Sequence, residues 1–168
     1  MEIFNAKRKS FEYRQLYNGT REKVFPLLCY KKEYEWIPGW QAIQVFSNSG
    51  YMEEGCAFIS YLRDLPEWSH IGKTAEMNWF VHAYDKENYY IESANFVKDA
   101  FILKFSIRLI EEEKGKTTAV FSHMYTGLTE GGNKLIDKVI NEEYYVKGQQ
   151  FLEKCMNYFL DNGKIIKL

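Results

Sequence analysis

LIDKVINEEYYVKGQQFLEKCMNYFL, residues 135–160, carries apolar or small side chains at Ile136, Ile140, Tyr144, Gly148, Phe151, Cys155 and Phe159. Steps of three and four residues put these on one face of an α-helix. At 1.5 Å per residue such a helix runs about 35–40 Å, long enough to cross a whole sheet. Asn162-Gly163 supplies its C-terminal stop, since glycine accepts the left-handed backbone that ends many helices. A helix with one apolar face needs an apolar surface to cover, and the preceding sequence provides it.

Residues 41–126 read as strands separated by turn signals at Ser47-Asn48-Ser49-Gly50, Asp85-Lys86-Glu87-Asn88 and Glu113-Lys114-Gly115-Lys116. The cleanest period-two run is Phe101, Leu103, Phe105, Ile107 and Leu109, alternating with Ile102, Lys104, Ser106 and Arg108. One face is therefore buried and the other mostly wet. Residues 4–17, ending at Asn18-Gly19, read as a first strand at a sheet edge, where Lys and Arg are tolerated. Thr20 is placed to cap a helix carrying Val24, Phe25, Leu27 and Leu28, but Pro26 opposes a straight one, so two short helical turns are expected across 20–36. Pro38 and Gly39 end that region. The order is α+β: a curved antiparallel β-sheet, with two short helices near the N-terminus, wrapped around a long C-terminal helix. The early helical pair fits poorly with the strand-first order of a lipocalin barrel.

At 168 residues, with three prolines and no low-complexity stretch, residues 1–168 read as a single domain. Lys and Arg total 22 against 23 Asp and Glu, so no whole-molecule field draws nucleic acid or an anionic membrane. Cys29, Cys56 and Cys155 are odd in number and widely spaced, which argues against a disulfide framework and for reduced thiols in a cytoplasmic protein. No signal-peptide pattern or membrane-length apolar run occurs. The three histidines, His70, His82 and His123, lack the spacing of a metal pair, so no metal and no cofactor is expected. No phosphate loop, nucleophile elbow or Cys/His arrangement is present, and nucleophilic catalysis has no support.

A bent sheet and a straight helix touch fully only along part of their length, and side chains must fill the remainder or leave a cavity. Gly148 in the middle of the helix stripe removes bulk there; it either makes room for a guest or allows a kink or close backbone contact. Aromatic residues are 17% of the chain and suit either a pocket wall or an ordinary β core. Trp79, in mid-strand between Met77 and Val81, is the best wall candidate, whereas Trp36 and Trp40 read as anchors of the helix-to-strand corner. The polar connection from Tyr61 to His70, containing Arg63 and Trp68, is of the kind that rims a cavity, with Arg63 able to meet a ligand carboxylate. His82 and His123 sit in aromatic strand surroundings, as hydrogen-bonded sheet histidines or as proton-transfer groups. If Glu113-Lys114-Gly115 is a three-residue loop, Phe105 faces His123 and both point to the concave side; a two-residue loop would put Met124 there instead. The aromatic weight of Phe121 and Tyr125 favours the first.

The order of elements resembles the START-like or SRPBCC superfamily, which includes Bet v 1-like and polyketide cyclase/dehydrase-like proteins. The resemblance rests on Val24-Phe25-Pro26-Leu27-Leu28-Cys29, Glu33-Tyr34-Glu35-Trp36-Ile37-Pro38-Gly39-Trp40 and Thr126-Gly127-Leu128-Thr129-Glu130-Gly131-Gly132-Asn133. It implies the helix-grip fold and a cavity between sheet and long helix that holds a small hydrophobic or amphipathic molecule, such as a lipid, hormone or polyketide. Trp79, Phe105, Phe121, His123, Tyr144, Gly148 and Phe151 are the expected wall residues. Two alternatives stand beside binding: a cyclase or dehydratase using His82 or His123 as acid or base, and a chaperone-cofactor-like interaction module with a filled core.

Overall fold

A three-residue turn decides which side chains of the sheet face inward. In the computed structural model, which describes residues 3–62 and 76–167, Glu113–Gly115 joins β6 (Phe101–Glu111) to β7 (Thr117–Gly127). Gly115 is left-handed at φ 71° and the Glu112 N–H donates to the Lys116 carbonyl at 2.8 Å. That register sets Phe105 opposite His123 and Ile107 opposite Phe121. Phe101, Leu103, Phe105, Ile107 and Leu109 thus share the concave face with Phe121 and His123, while Lys104 and Arg108 are exposed on the other side. The three-residue loop of the sequence reading is the one adopted.

The remaining strands are β1 (Arg8–Tyr17), β2 (Trp40–Phe46), β3 (Ala57–Leu62), β4 (Glu76–Asp85) and β5 (Tyr90–Val97). All pair antiparallel in the order β1-β7-β6-β5-β4-β3-β2, so β1 is an edge strand as its charged residues suggest. Between β1 and β2 lie α1 (Arg21–Val24) and two 3₁₀ turns, Phe25–Leu28 and Glu33–Glu35. Thr20 occupies the N-cap position, but its side chain makes no capping bond; its hydroxyl bonds the Glu22 carboxylate instead.

The C-terminal helix departs from the expected single rod. It is two helices, α2 (Glu130–Lys138) and α3 (Glu142–Asn162). Asn141 breaks the run because its side-chain oxygen accepts the Tyr144 N–H at 2.9 Å, an N-cap that offers an orphan donor its partner and is followed by Glu142 and Glu143 at the positive end of the new helix. The break resets the helical phase. Tyr145, Gln149 and Met156 become buried alongside Gly148 and Cys155, whereas Tyr144, Phe151 and Phe159 are only half-buried. Gly163 closes α3 with φ 64°, its N–H bonded to the Phe159 carbonyl.

A polar stripe then fixes where α3 lies. Gln149 accepts from the Gln15 side chain at 2.8 Å, Glu153 from the Leu16 N–H at 2.8 Å and Asn157 from the Asn18 N–H at 2.8 Å, while the Asn157 amide donates to the Leu16 carbonyl. Helix steps of four thus fasten α3 to the C-terminal end of β1 and the residue after it, and α3 makes its main contacts with that strand instead of crossing the whole sheet. The core beneath divides in two. One cluster is built on Val24, Phe25, Leu28, Trp36, Ile107, Phe121 and Met156, the other on Met77, Val97, Phe101, Leu103, Ile136 and Ile140. Trp79 and Phe105 pack against both.

The junction at residues 127–133 holds α2 to the sheet. Thr129 accepts from the Gly132 N–H and donates to the Asp99 carbonyl, and the Asn133 side chain accepts from Lys7 N–H and donates to the Asn5 carbonyl. A methyl group on Gly132 would lie 1.8 Å from the Ala100 carbonyl oxygen, whereas one on Gly131 would meet only ordinary contact. Gly132→Ala is therefore expected to lower unfolding stability by about 3 kcal/mol. Gly131→Ala should be neutral or raise it by about 0.5 kcal/mol through helix propensity. Urea denaturation of the two variants measures the contrast.

Candidate ligand-binding cavity

The two core clusters do not meet everywhere. Between them lies a cavity of about 130 Å³, bounded by β3, β4, β6 and β7, by the segment from Leu28 to Trp40, and by Ile140 and α3. An apolar cavity of about 150 Å³ takes benzene or xenon, so a single-ring molecule matches the empty volume.

Trp79, Phe105, Phe121, His123 and Tyr144 line this space. Gly148 and Phe151, two of the expected wall residues, are not among its described lining residues. Gly148 is buried in α3 and Phe151 is half-buried against the first core cluster, while Tyr144, Gln149 and Leu152 are the α3 side chains that border the cavity. Trp36 and Trp40 do both jobs: their N–H groups donate to the Leu27 and Tyr30 carbonyls at 2.8 Å, anchoring the corner, and their rings form part of the wall. Trp79 donates to Ser60 Oγ at 2.9 Å and stacks on Phe58. All three indole donors that reach the wall are thus already bonded, leaving ring area to a guest. Arg63, Trp68 and His70 lie outside the described residues.

The histidines separate. His82 is on the outer face, 3.2 Å from Glu92, which Lys104 also contacts at 2.6 Å. Hydrogen bonding to Lys104, then to Tyr90, holds the Glu92 carboxyl down at about 2. A group on that face cannot exchange protons with a molecule inside, so the acid/base role considered for His82 is not supported. His123 does reach the cavity. Its Nδ1 lies 3.0 Å from the Tyr145 hydroxyl, and Phe105 packs edge-on at 4.8 Å. Burial pushes its pKa down to about 3, so the ring is neutral and weakly basic at neutral pH. Burial likewise raises the Tyr144 phenol to about 12.

Glu33 escaped the sequence reading. Its side chain lines the cavity, has no hydrogen-bond or ion-pair partner among the described residues, and is the one formally charged side chain in the described wall. Desolvation pushes its carboxyl up to about 8. The signal was present: Glu33, Trp36, Ile37 and Trp40 recur at helical spacing and all line the cavity, held by Glu33 N–H on the Cys29 carbonyl and Ile37 N–H on the Glu33 carbonyl. Asn95, between Trp79 and Leu103 in the sheet, is a second overlooked group; its amide is fully buried and neither end has a hydrogen-bond partner among the described residues.

Because Glu33 prefers its neutral form in the folded chain, the folded state holds more protons than the unfolded state between about 4.5 and 8, and stability falls as pH rises through that window. The titratable side chains sharing the cavity wall are His123, Tyr125 and Tyr144, and Tyr17 lies within reach of the Glu33 charge. Glu33→Gln mimics the neutral acid. It should match the parent chain in thermal unfolding near pH 4.5 and become progressively more stable than it up to pH 8; equal melting curves at both ends would contradict the shift.

No protein-family model and no curated protein matches the chain by sequence. Comparison of folds does give matches. Ara h 8.0201 aligns with a TM-score of 0.66 at 21% identity, covering 93% of this chain and 100% of the other. Norcoclaurine synthase from Thalictrum flavum aligns with a TM-score of 0.65 at 11% identity, covering 92% and 96%. The protein of unknown function SA2116 from Staphylococcus aureus gives 0.67 at 13% identity, covering 95% and 97%. With its seven-stranded antiparallel sheet and long terminal helix, the chain has the helix-grip fold that these proteins share over nearly their full length.

Proposed function

We propose that this protein binds a small, largely apolar molecule in the space between its sheet and its terminal helix. The observation that carries this reading is the aromatic-walled cavity at the junction of the two core clusters, where Trp36, Trp40, Trp79, Phe105 and Phe121 present ring surface with little polar competition. Apolar enclosure of this kind supplies affinity, and the few polar groups supply orientation. The lipid or polyketide identity suggested by the resemblance is narrowed by size, since the empty volume suits one ring and a larger guest must displace wall side chains.

The reading favours holding over conversion. His123, the one histidine on the described wall, is too weak a base at neutral pH for efficient proton abstraction. An unfilled interior also argues against a module whose surface alone is used.

Toluene is a suitable probe because it matches the volume and carries no polar group. Saturating toluene should raise the melting temperature of the parent chain, with stabilisation of about 2.7 kcal/mol at a hundredfold excess over Kd. Leu152→Trp, which places an indole where Leu152 borders the cavity, should abolish the response while leaving the far-ultraviolet circular dichroism unchanged. An equal response in both proteins, or none in either, would overturn the proposal.

A further inference from the structure

Resting on that reading of the cavity, we infer that the guest carries a basic nitrogen, an amine on a small aromatic or apolar frame, and that Glu33 is the residue that receives it. The Glu33 side chain enters an otherwise uncharged wall and finds no donor among the described residues. An isolated carboxyl in apolar surroundings is costly in its ionised form unless a cation or hydrogen-bond donors accompany it. The described wall holds no Lys or Arg, the indole N–H groups of Trp36, Trp40 and Trp79 are bonded to Leu27, Tyr30 and Ser60, and the remaining polar groups there, on Ser60, His123, Tyr125, Tyr144 and Gln149, make no hydrogen bond to the Glu33 carboxyl.

The same inventory decides between guest chemistries. A carboxylate would meet a carboxyl and no cation, so an acid is disfavoured. A carbonyl or hydroxyl could accept a proton from neutral Glu33, but it would leave the aromatic faces with no electrostatic role. An ammonium group satisfies both. It donates to the Glu33 oxygens, and Trp36 and Trp40, brought to the wall by the same short segment, present π-faces that attract cations. The polar pair Gln15–Gln149, with the Tyr17 hydroxyl bonded to Gln15, lies behind the wall where Gln149 reaches it, so the cavity has a polar side as well as an apolar one.

Proton exchange follows from this arrangement. Empty, the Glu33 carboxyl at about 8 is roughly nine-tenths protonated at pH 7, and an aliphatic amine in solution is protonated too. The complex keeps one proton fewer than the separate partners, whether it is written as ammonium with carboxylate or amine with acid. Binding therefore releases close to one proton. The other titratable groups on the wall, His123, Tyr125 and Tyr144, and Tyr17 beside it, keep their protonation states at that pH.

The test compares benzylamine, benzyl alcohol and benzoate by isothermal titration calorimetry at pH 7 in two buffers of different ionisation enthalpy. The expected result is benzylamine binding at least tenfold tighter than benzyl alcohol, benzoate weakest, and close to one proton released per benzylamine. In Glu33→Gln the preference for the amine over the alcohol should fall below twofold. Benzyl alcohol binding as tightly as benzylamine, or benzylamine binding without proton release, would overturn the amine assignment while leaving the cavity a binding site. Failure of all three probes and of toluene would overturn both readings together. The proton count is taken on the parent protein, so it decides the matter even if the variant is unstable.

Discussion

The C-terminal end of β1 has backbone and side-chain groups that need hydrogen-bond partners, and α3 provides them. Gln149, Glu153 and Asn157 meet Gln15, Leu16 and Asn18, one helical turn after another, and this draws the helix to one side of a concave sheet. A helix held there cannot also fill the middle of the curve. Trp79 and Phe105 stand in the gap, packing against the core cluster on either side without closing the space between. The cavity lies where the helix fastened to the end of β1 leaves the concave face uncovered, and aromatic rings make up much of its wall.

Enclosure changes the chemistry of what it contains. The same desolvation that raises the Glu33 carboxyl depresses His123, so at neutral pH the wall holds a neutral acid and a neutral imidazole. These groups pull stability in opposite directions with pH: Glu33 favours the folded chain in acid, and His123 disfavours it there as pH falls below its ordinary value toward 3. Retaining both within an apolar interior has a stability cost that ordinary core packing would avoid.

Much of the fold was legible because local rules and global needs agree. Gly115 at a hairpin turn, period-two alternation in β6 and the Asn162-Gly163 stop all point one way, and together they place Phe105 and His123 on the inner face. The helix break was harder to see, since Asn141 falls inside a run whose apolar spacing continues through it; a capping residue followed by two glutamates was the signal that outweighed the spacing. Of the expected stripe within α3, Tyr144 borders the cavity, whereas Gly148 is buried and Phe151 half-buried away from its described lining. Gln149 and Glu33 were overlooked for a different reason. Polar residues are assigned outward by default; the helical spacing of Glu33 with Trp36, Ile37 and Trp40 runs against that default, whereas for Gln149 only the tertiary placement of β1 brings the side chain inside.

The central claim is that the interior is incompletely filled at one defined place, and xenon tests it with no assumption about the guest's chemistry. Methyl-resolved nuclear magnetic resonance under xenon pressure should show saturating shifts confined to Leu28, Ile37, Met77, Leu103, Ile107, Ile140 and Leu152, the methyl-bearing side chains of the described wall, with Val24 and Ile136 in the packed parts of the core unaffected. Uniform, non-saturating shifts across all methyl groups, or none at these bordering residues, would mean that the sheet and helix close on each other completely and that there is no room for a guest.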